Sequence, residues 1–137
     1  MDKSLNYLSL ARKAGKVELG EEPVGAAARA QHARLVIVAQ DAGDHSWRRA
    51  KSFVAGTGQV CIRVPYTKDD LGRSIGRTAL AMAAFTDPAL ALAFVKALPE
   101  EAACPDAEEL LQKQTERIRQ RQQESKAHKK NVRFGKK

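Results

Sequence analysis

Two glycine-marked segments, 16–23 and 70–77, carry residue types that suit contacts with RNA. The first places backbone N–H groups and two carboxylates at the start of a helix, where they can meet phosphates and base-edge donors. The second is expected to expose apolar side chains between flexible, basic positions, where an unstacked base can pack. The candidate residues are Lys16, Gly20, Glu21, Glu22, Leu71, Gly72, Arg73, Ser74 and Ile75.

These residues also have explanations that involve no ligand. Glu21 and Glu22 would stabilise the positive end of a helix dipole, by about 0.3 to 1 kcal/mol each at an exposed site. Gly72 would permit tight packing, and Arg73 would be an ordinary solvated residue on a helix. Neither segment alone decides between the two explanations.

No group of residues indicates a catalytic or metal site. Residues 44–46 (Asp-His-Ser) have triad types, but they are sequence neighbours at a predicted helix start, where capping explains them. Segment 72–78 lacks the spacing and the lysine of a phosphate-binding P-loop. The three histidines are not clustered, and Cys61 and Cys104 have neither metal-ligand spacing nor the density of a disulfide scaffold. We expect free thiols, no metal, no cofactor and no enzymatic activity.

Length and charge narrow the class of protein. The 137 residues suffice for one compact core, and the apolar runs are too short to cross a bilayer, so we expect a soluble, cytoplasmic protein. Lys and Arg outnumber Asp and Glu by 14 to 9 in residues 1–98 and by 10 to 2 in residues 112–137, whereas residues 99–111 carry only 5 acids. The basic end is either a solvated, mobile segment or an arm that binds nucleic acid by releasing counterions.

The hydrophobic pattern predicts an α/β fold, a three-layer α/β/α sandwich with a small mixed sheet of about four strands. Helices and strands alternate, starting with a helix that ends at Gly15, and the apolar run 35–39 is the predicted centre of the sheet. Asp44 or Ser46 would cap the third helix, on which Trp47 and Phe53 are assigned to the core. Two further helix starts are predicted, a capping box at 67–70 and an Asp-Pro start at 87–88.

Three segments follow from these patterns: an α/β/α domain over 1–98 that holds the candidate RNA-binding residues, an acidic linker over 99–111 and a basic helical or disordered tail over 112–137. Residues 99–105 break the pattern of elements. Beyond them the large apolar residues are too few for a core-facing stripe, so we expect a solvated or frayed helix and disorder from Lys129. Phe134, which has no core to join, is assigned to stacking on a base.

Four segments resemble, in order and spacing, the kink-turn-binding ribosomal proteins of archaea and eukaryotes, the L-seven-Ae family, and above all their bacterial YlxQ-like relatives. These segments are 8–16 (LSLARKAGK), 20–22 (GEE), 33–41 (ARLVIVAQD) and 71–76 (LGRSIG). The resemblance covers about Leu5 to Leu98. It implies a non-catalytic protein that binds structured RNA.

The resemblance also implies which residues touch the RNA. The glycine and the polar residues after it contact the sheared G·A pairs of a kinked RNA in that family, which implicates residues 20–22 and, on the phosphates, Lys16. The later loop packs apolar side chains against the extruded nucleotide, which implicates residues 71–75. The two loops are expected to converge on one edge of the sandwich.

The first loop departs from the pattern of strong kink-turn binders. Glu22, Pro23 and Ala26 stand where those proteins have Asn, Glu and Lys, so an amide and a phosphate-binding ammonium are missing. We therefore expect weaker kink-turn binding or a different RNA. The expected partner is structured noncoding RNA, with the ribosome as one candidate, bound by a monomer. The alternative is a protein-interaction module that docks an acidic partner and whose basic tail steers association.

Overall fold

The computed structural model describes the backbone of residues 3–134 and the side chains of residues 3–125. Helices and strands alternate through most of the chain. The elements are α1 (Lys3–Lys13), β1 (Val17–Leu19), α2 (Glu21–Arg29), β2 (Leu35–Val38), α3 (Asp44–Val54), β3 (Val60–Arg63), α4 (Lys68–Ser74), β4 (Met82–Phe85), α5 (Pro88–Lys96), a 3₁₀ turn (Glu100–Ala102) and α6 (Pro105–Phe134). None of the helices in this part of the chain is long and apolar enough to cross a membrane.

The four strands form one mixed sheet in the order β1-β4-β2-β3, which confirms the predicted α/β sandwich. β2 and β3 are parallel, and β4 is antiparallel to both of its neighbours. As a result β1, β2 and β3 end at the edge of the sheet where β4 begins. α2 packs on α3, and α1 packs on α4 and α5, so the helices form two layers.

The two inner strands form the centre of the core. Every residue of β2 and of β4 is buried, as expected for strands that are covered on both faces. The ring of Phe85 at the end of β4 lies 5.1 Å from the ring of Phe94 on α5, which joins the sheet to that helix. The prediction that the run 35–39 lies at the sheet centre is confirmed.

Side-chain caps fix two of the three predicted helix starts. Thr67 accepts a hydrogen bond from the Asp70 N–H and the Asp70 carboxylate accepts one from the Thr67 N–H, which completes the predicted capping box. The Asp87 carboxylate accepts a hydrogen bond from the Leu90 N–H and caps α5 as predicted. The predicted cap of α3 is wrong. The helix already begins at Asp44, so Gly43 is the capping residue, and glycine has no side chain that could accept a capping hydrogen bond.

α6 crosses the predicted boundary between linker and tail. It starts at Pro105, within the segment predicted as a linker, and it buries Ala107 and Leu111 in the core region beside α5. The expectation of a solvated helix without a core-facing stripe is therefore wrong for its first turns. The helix also continues to Phe134, through residues predicted to be disordered, while the Phe134 side chain lies outside the described part. The functional division of the chain at 98 and 111 stays a prediction.

Candidate nucleic-acid interface

Four connections meet at the edge where β1, β2 and β3 end and β4 begins. They comprise residues 20–22, 39–44, 64–70 and 75–81, which we call the loop edge. Backbone hydrogen bonds tie them together, from the Gly20 N–H to the Met82 carbonyl (3.0 Å) and from the Ala39 N–H to the Ala81 carbonyl (2.8 Å). The start of α2 thus lies on the same edge as the connection after α4, and this edge of an α/β sheet is a common place for ligand sites.

The first segment presents a helix start without a side-chain cap. Gly20 has a φ of 95°, a conformation that favours glycine, and it precedes α2 without capping it through a side chain. The Glu21 carboxylate forms a salt bridge with Arg49 of α3. Glu22 is exposed and, within the described part of the chain, has no hydrogen-bonding or ionic partner. Its carboxylate and the backbone N–H groups of Glu21 and Glu22 are the groups available to a ligand, because Pro23 has no N–H and the Val24 N–H donates to the Gly20 carbonyl.

The second segment does not expose the apolar side chains that we expected. α4 continues to Ser74, and Leu71 and Ile75 are 0% and 2% exposed, so they are core residues and do not present apolar surface to a ligand. Ser74 is buried on the same face and its hydroxyl donates to the Leu71 carbonyl at 2.8 Å. The three-residue and four-residue spacing of these side chains places them on one face of the helix, which packs on α1. Only Arg73 of the five candidates in this segment is exposed.

Gly72 has a packing role. A Cβ atom at this position would lie 2.7 Å from backbone atoms of Ala79, because the chain after α4 folds back over the helix. The Arg77 N–H donates to the Gly72 carbonyl at 2.8 Å and holds this turn. The exposed part of the connection is residues 76–79. The sequence contained a signal for it in Gly76, whose φ of 76° ends the helical region.

Lys16 lies at the opposite end of β1 from Gly20. Its carbonyl accepts a hydrogen bond from the Thr86 N–H at 2.9 Å, just beyond the end of β4. The four-residue separation along an extended strand corresponds to about 13 Å. The expectation that Lys16 stands near residues 20–22 is therefore wrong.

Trp47 adds an aromatic group close to the loop edge. It is half-buried and packs against the core, as predicted, but two cations also lie over its ring. Arg63 at the end of β3 is 4.8 Å from the ring centre, and Lys51 is 5.6 Å from it. The packing of α3 on β3 creates this cluster, so residue types alone did not indicate it.

Neither thiol has a lowered pKa. Burial raises the pKa of Cys61 to about 11, and the nearby charges of Lys51 and Arg63 offset only part of that effect. Burial also raises the pKa of Cys104. Both cysteines are free, and the described residues contain no group of three or more His, Cys, Asp or Glu that could hold a metal ion.

Solved structures share this architecture. A protein of unknown function from Bacillus halodurans is 28% identical, with a TM-score of 0.62, and the match covers 69% of this chain and 98% of the other. The 15.5 kD RNA-binding protein of Giardia lamblia is 18% identical, with a TM-score of 0.56, over 69% of this chain and 80% of the other. This chain shares its fold with an RNA-binding protein. No protein-family model and no curated protein matches the sequence.

Proposed function

We propose that this protein is a non-catalytic RNA-binding protein that uses its loop edge to recognise a kinked or bulged site in structured RNA. The observation that carries the proposal is the hydrogen bond between Gly20 and Met82, which places the uncapped start of α2 beside the connection that follows α4. The fold that it shares with the Giardia RNA-binding protein supports the same assignment.

The groups at the loop edge suit the recognition of bases. Glu22 and the first-turn N–H groups of α2 provide acceptors and donors for base edges that a kink exposes. Arg73 at the end of α4 and Arg77 in the connection after it are exposed and would provide charge for the RNA backbone. Because Leu71 and Ile75 are buried, an extruded base would pack against residues 76–79 instead.

The proposal extends to the finer features that the family resemblance implies. We place the protein in the cytoplasm, as a monomer associated with noncoding RNA such as ribosomal RNA. The residues of strong kink-turn binders are replaced here by Glu22, Pro23 and Ala26. The preference of this protein for a kink-turn RNA over its closed form is therefore modest. Restoring Asn at Glu22 and Lys at Ala26 should strengthen it, because both replacements supply groups that bind RNA.

The test is a comparison of two RNAs that differ only in the kink. We would measure the affinity of the full chain for a kink-turn RNA and for the same RNA with its bulge closed by base pairs. We expect tighter binding of the kinked form. Equal affinities for the two forms would contradict recognition at the loop edge and favour a protein partner.

A matched pair of variants tests the role of the first loop. Glu22→Gln removes an exposed carboxylate at the loop edge, and Glu18→Gln removes one from the middle of β1. Both reduce the repulsion of any RNA, but only Glu22→Gln is expected to change the ratio of the two affinities. If both variants leave the ratio unchanged, Glu22 does not contact the RNA.

A further inference from the structure

The two edges of the sheet carry opposite charge. The segments of the loop edge contain six Asp and Glu residues and two Lys and Arg residues. The opposite edge, which we call the far edge, consists of residues 12–16, 29–34, 55–59 and 86–88, and its segments contain five Lys and Arg residues and one Asp. A polyanion that approaches the folded domain is thus attracted to the far edge and repelled by much of the loop edge.

Backbone hydrogen bonds bring the far-edge cations around the end of β4. The Thr86 N–H donates to the Lys16 carbonyl on one side, and the Arg34 N–H donates to the Phe85 carbonyl at 2.7 Å on the other. The turn at Gly15 sets Lys16 directly after the last turn of α1, which carries Arg12 and Lys13. These cations therefore belong to one surface although the sequence separates them.

α6 brings more positive charge to the same edge. It follows α5 after a short turn and runs back along it, so that Thr115, Ile118 and Arg119 line a crevice with residues 87–89. From Arg119 the helix continues to Phe134, a length of about 22 Å at 1.5 Å per residue. Residues 119–134 contain six Lys and Arg residues and one Glu.

The far-edge cations are available to a ligand. Within the described side chains, none of them forms a salt bridge, and all are exposed except Arg34, which is partly buried. The carboxylates nearby include Asp87, which caps α5, Glu18 on β1, and Glu116, which is three residues before Arg119 on α6. Arg12 and Lys13 also complement the dipole of α1, but no helix end accounts for Lys16, Arg34 and Arg119.

The composition of the far edge favours nucleic acid over other anionic partners. Its segments contain no Val, Leu, Ile, Met, Phe, Tyr or Trp. A protein interface needs such residues at its centre, and a helix that lies on a membrane inserts them into the lipid. A phosphate backbone needs only cations, since released counterions supply the binding free energy.

We propose that the far edge, which carries Lys16 and Arg34, together with the adjoining Arg119 of α6, is a second RNA-binding surface that binds the phosphate backbone of a duplex without reading its sequence. Only the choice of RNA as the polymer rests on the proposed function. The two surfaces face opposite directions, so one molecule contacts two RNA segments. The loop edge selects a site and the far edge contributes most of the salt-dependent affinity.

The test uses the full chain and an unrelated RNA duplex of about two helical turns, the probe for sequence-independent binding. The far-edge variant combines Lys16→Gln, Arg34→Gln and Arg119→Gln. The control variant removes the same charge through Lys3→Gln, Arg48→Gln and Lys96→Gln, at exposed positions outside the far edge and outside the segments that define the loop edge. Thermal unfolding of both variants shows whether they remain folded.

We expect the far-edge variant to bind the duplex about tenfold or more weakly, with the slope of log affinity against log salt reduced by about two to three. The control should retain nearly the full slope. Equal losses in the two variants would overturn the proposal, because net charge alone would then explain binding. Polyglutamate is then tested as a competitor. If it displaces the duplex as effectively as unlabelled RNA does, the far edge binds acidic proteins and the proposal is also overturned.

The same variants separate this proposal from the proposed function. The far-edge variant should keep the ratio of affinities for the kinked and closed RNAs, because that ratio reports on the loop edge. If the ratio is one in every variant but the slope falls only in the far-edge variant, the second surface stands and recognition at the loop edge fails. If the ratio instead exceeds one and the slope falls equally in both variants, recognition at the loop edge stands and the second surface fails.

Discussion

Gly72 illustrates how a single residue positions the loop edge without touching a ligand. A methyl group there would meet the backbone of Ala79 at 2.7 Å, and backbone cannot move aside as a flexible side chain can. We predict that Gly72→Ala lowers the free energy of unfolding by about 1 to 3 kcal/mol, measured by urea denaturation. Gly43→Ala is the control, because its Cβ would meet no atom within 4 Å and its φ is −66°. Equal stability of the two variants would contradict the close approach.

The raised pKa of Cys61 predicts slow thiol chemistry. At a pKa of about 11 the thiolate is scarce near neutral pH, and it is the thiolate that reacts. In a Cys104→Ser variant, alkylation of Cys61 should rise about tenfold per pH unit from pH 8 towards the pKa. The denatured variant should react much faster near pH 8. A rate that levels off by about pH 9 in the folded protein would show that burial does not control this thiol.

At the scale of elements, α6 belongs to the folded domain through its first turns. Leu111 is fully buried beside α5, whereas the neighbouring Leu110 is only partly buried. We predict that Leu111→Ala lowers the free energy of unfolding by about 2 to 5 kcal/mol, as for other large-to-small core changes. Leu110→Ala should cost clearly less. If the two substitutions have the same small effect in denaturant titrations, α6 does not contribute to the core.

At the scale of the whole molecule, α6 has a packed part and a basic extension. Truncation after Gln122 keeps the crevice with residues 87–89 and removes six Lys and Arg residues with one Glu. We predict unchanged thermal unfolding, weaker binding of an RNA duplex and a shallower salt dependence. Truncation after Leu111 should in addition lower the unfolding temperature, because Thr115 and Ile118 are lost. If truncation after Gln122 leaves the slope of log affinity against log salt unchanged, the extension does not take part in binding.

Local signals predicted most of the fold. The capping box at Thr67 and Asp70 and the Asp-Pro start of α5 involve residues three positions apart or fewer, so the sequence contains the whole interaction. The strand over 35–38 was recognisable because a strand covered on both faces is apolar at every position. The predicted cap of α3 was one to three residues too late. The true capping residue, Gly43, has no side chain, so its residue type does not indicate a cap.

The candidate site was predicted less well. The sequence proposed Gly20 and Glu22 as RNA-binding residues, which stays a prediction, and the structure brings that loop beside the connection after α4. It did not show that Leu71 and Ile75 face the core, since apolar residues at helical spacing suit either a core or an exposed patch. It also grouped Lys16 with Gly20, although an intervening strand separates them.

By itself, the sequence determined which segments form helices and strands, where most helices begin, and how charge is divided along the chain. Those properties depend on neighbouring residues, whose interactions are local. Only the tertiary structure decided which side chains are exposed and which cations share an edge. The pairing of β4 between β1 and β2 sets Lys16 beside Thr86 and Arg34 beside Phe85, and the packing of α6 on α5 adds Arg119. Contacts between residues far apart in the chain create these surfaces, so no local pattern contains them.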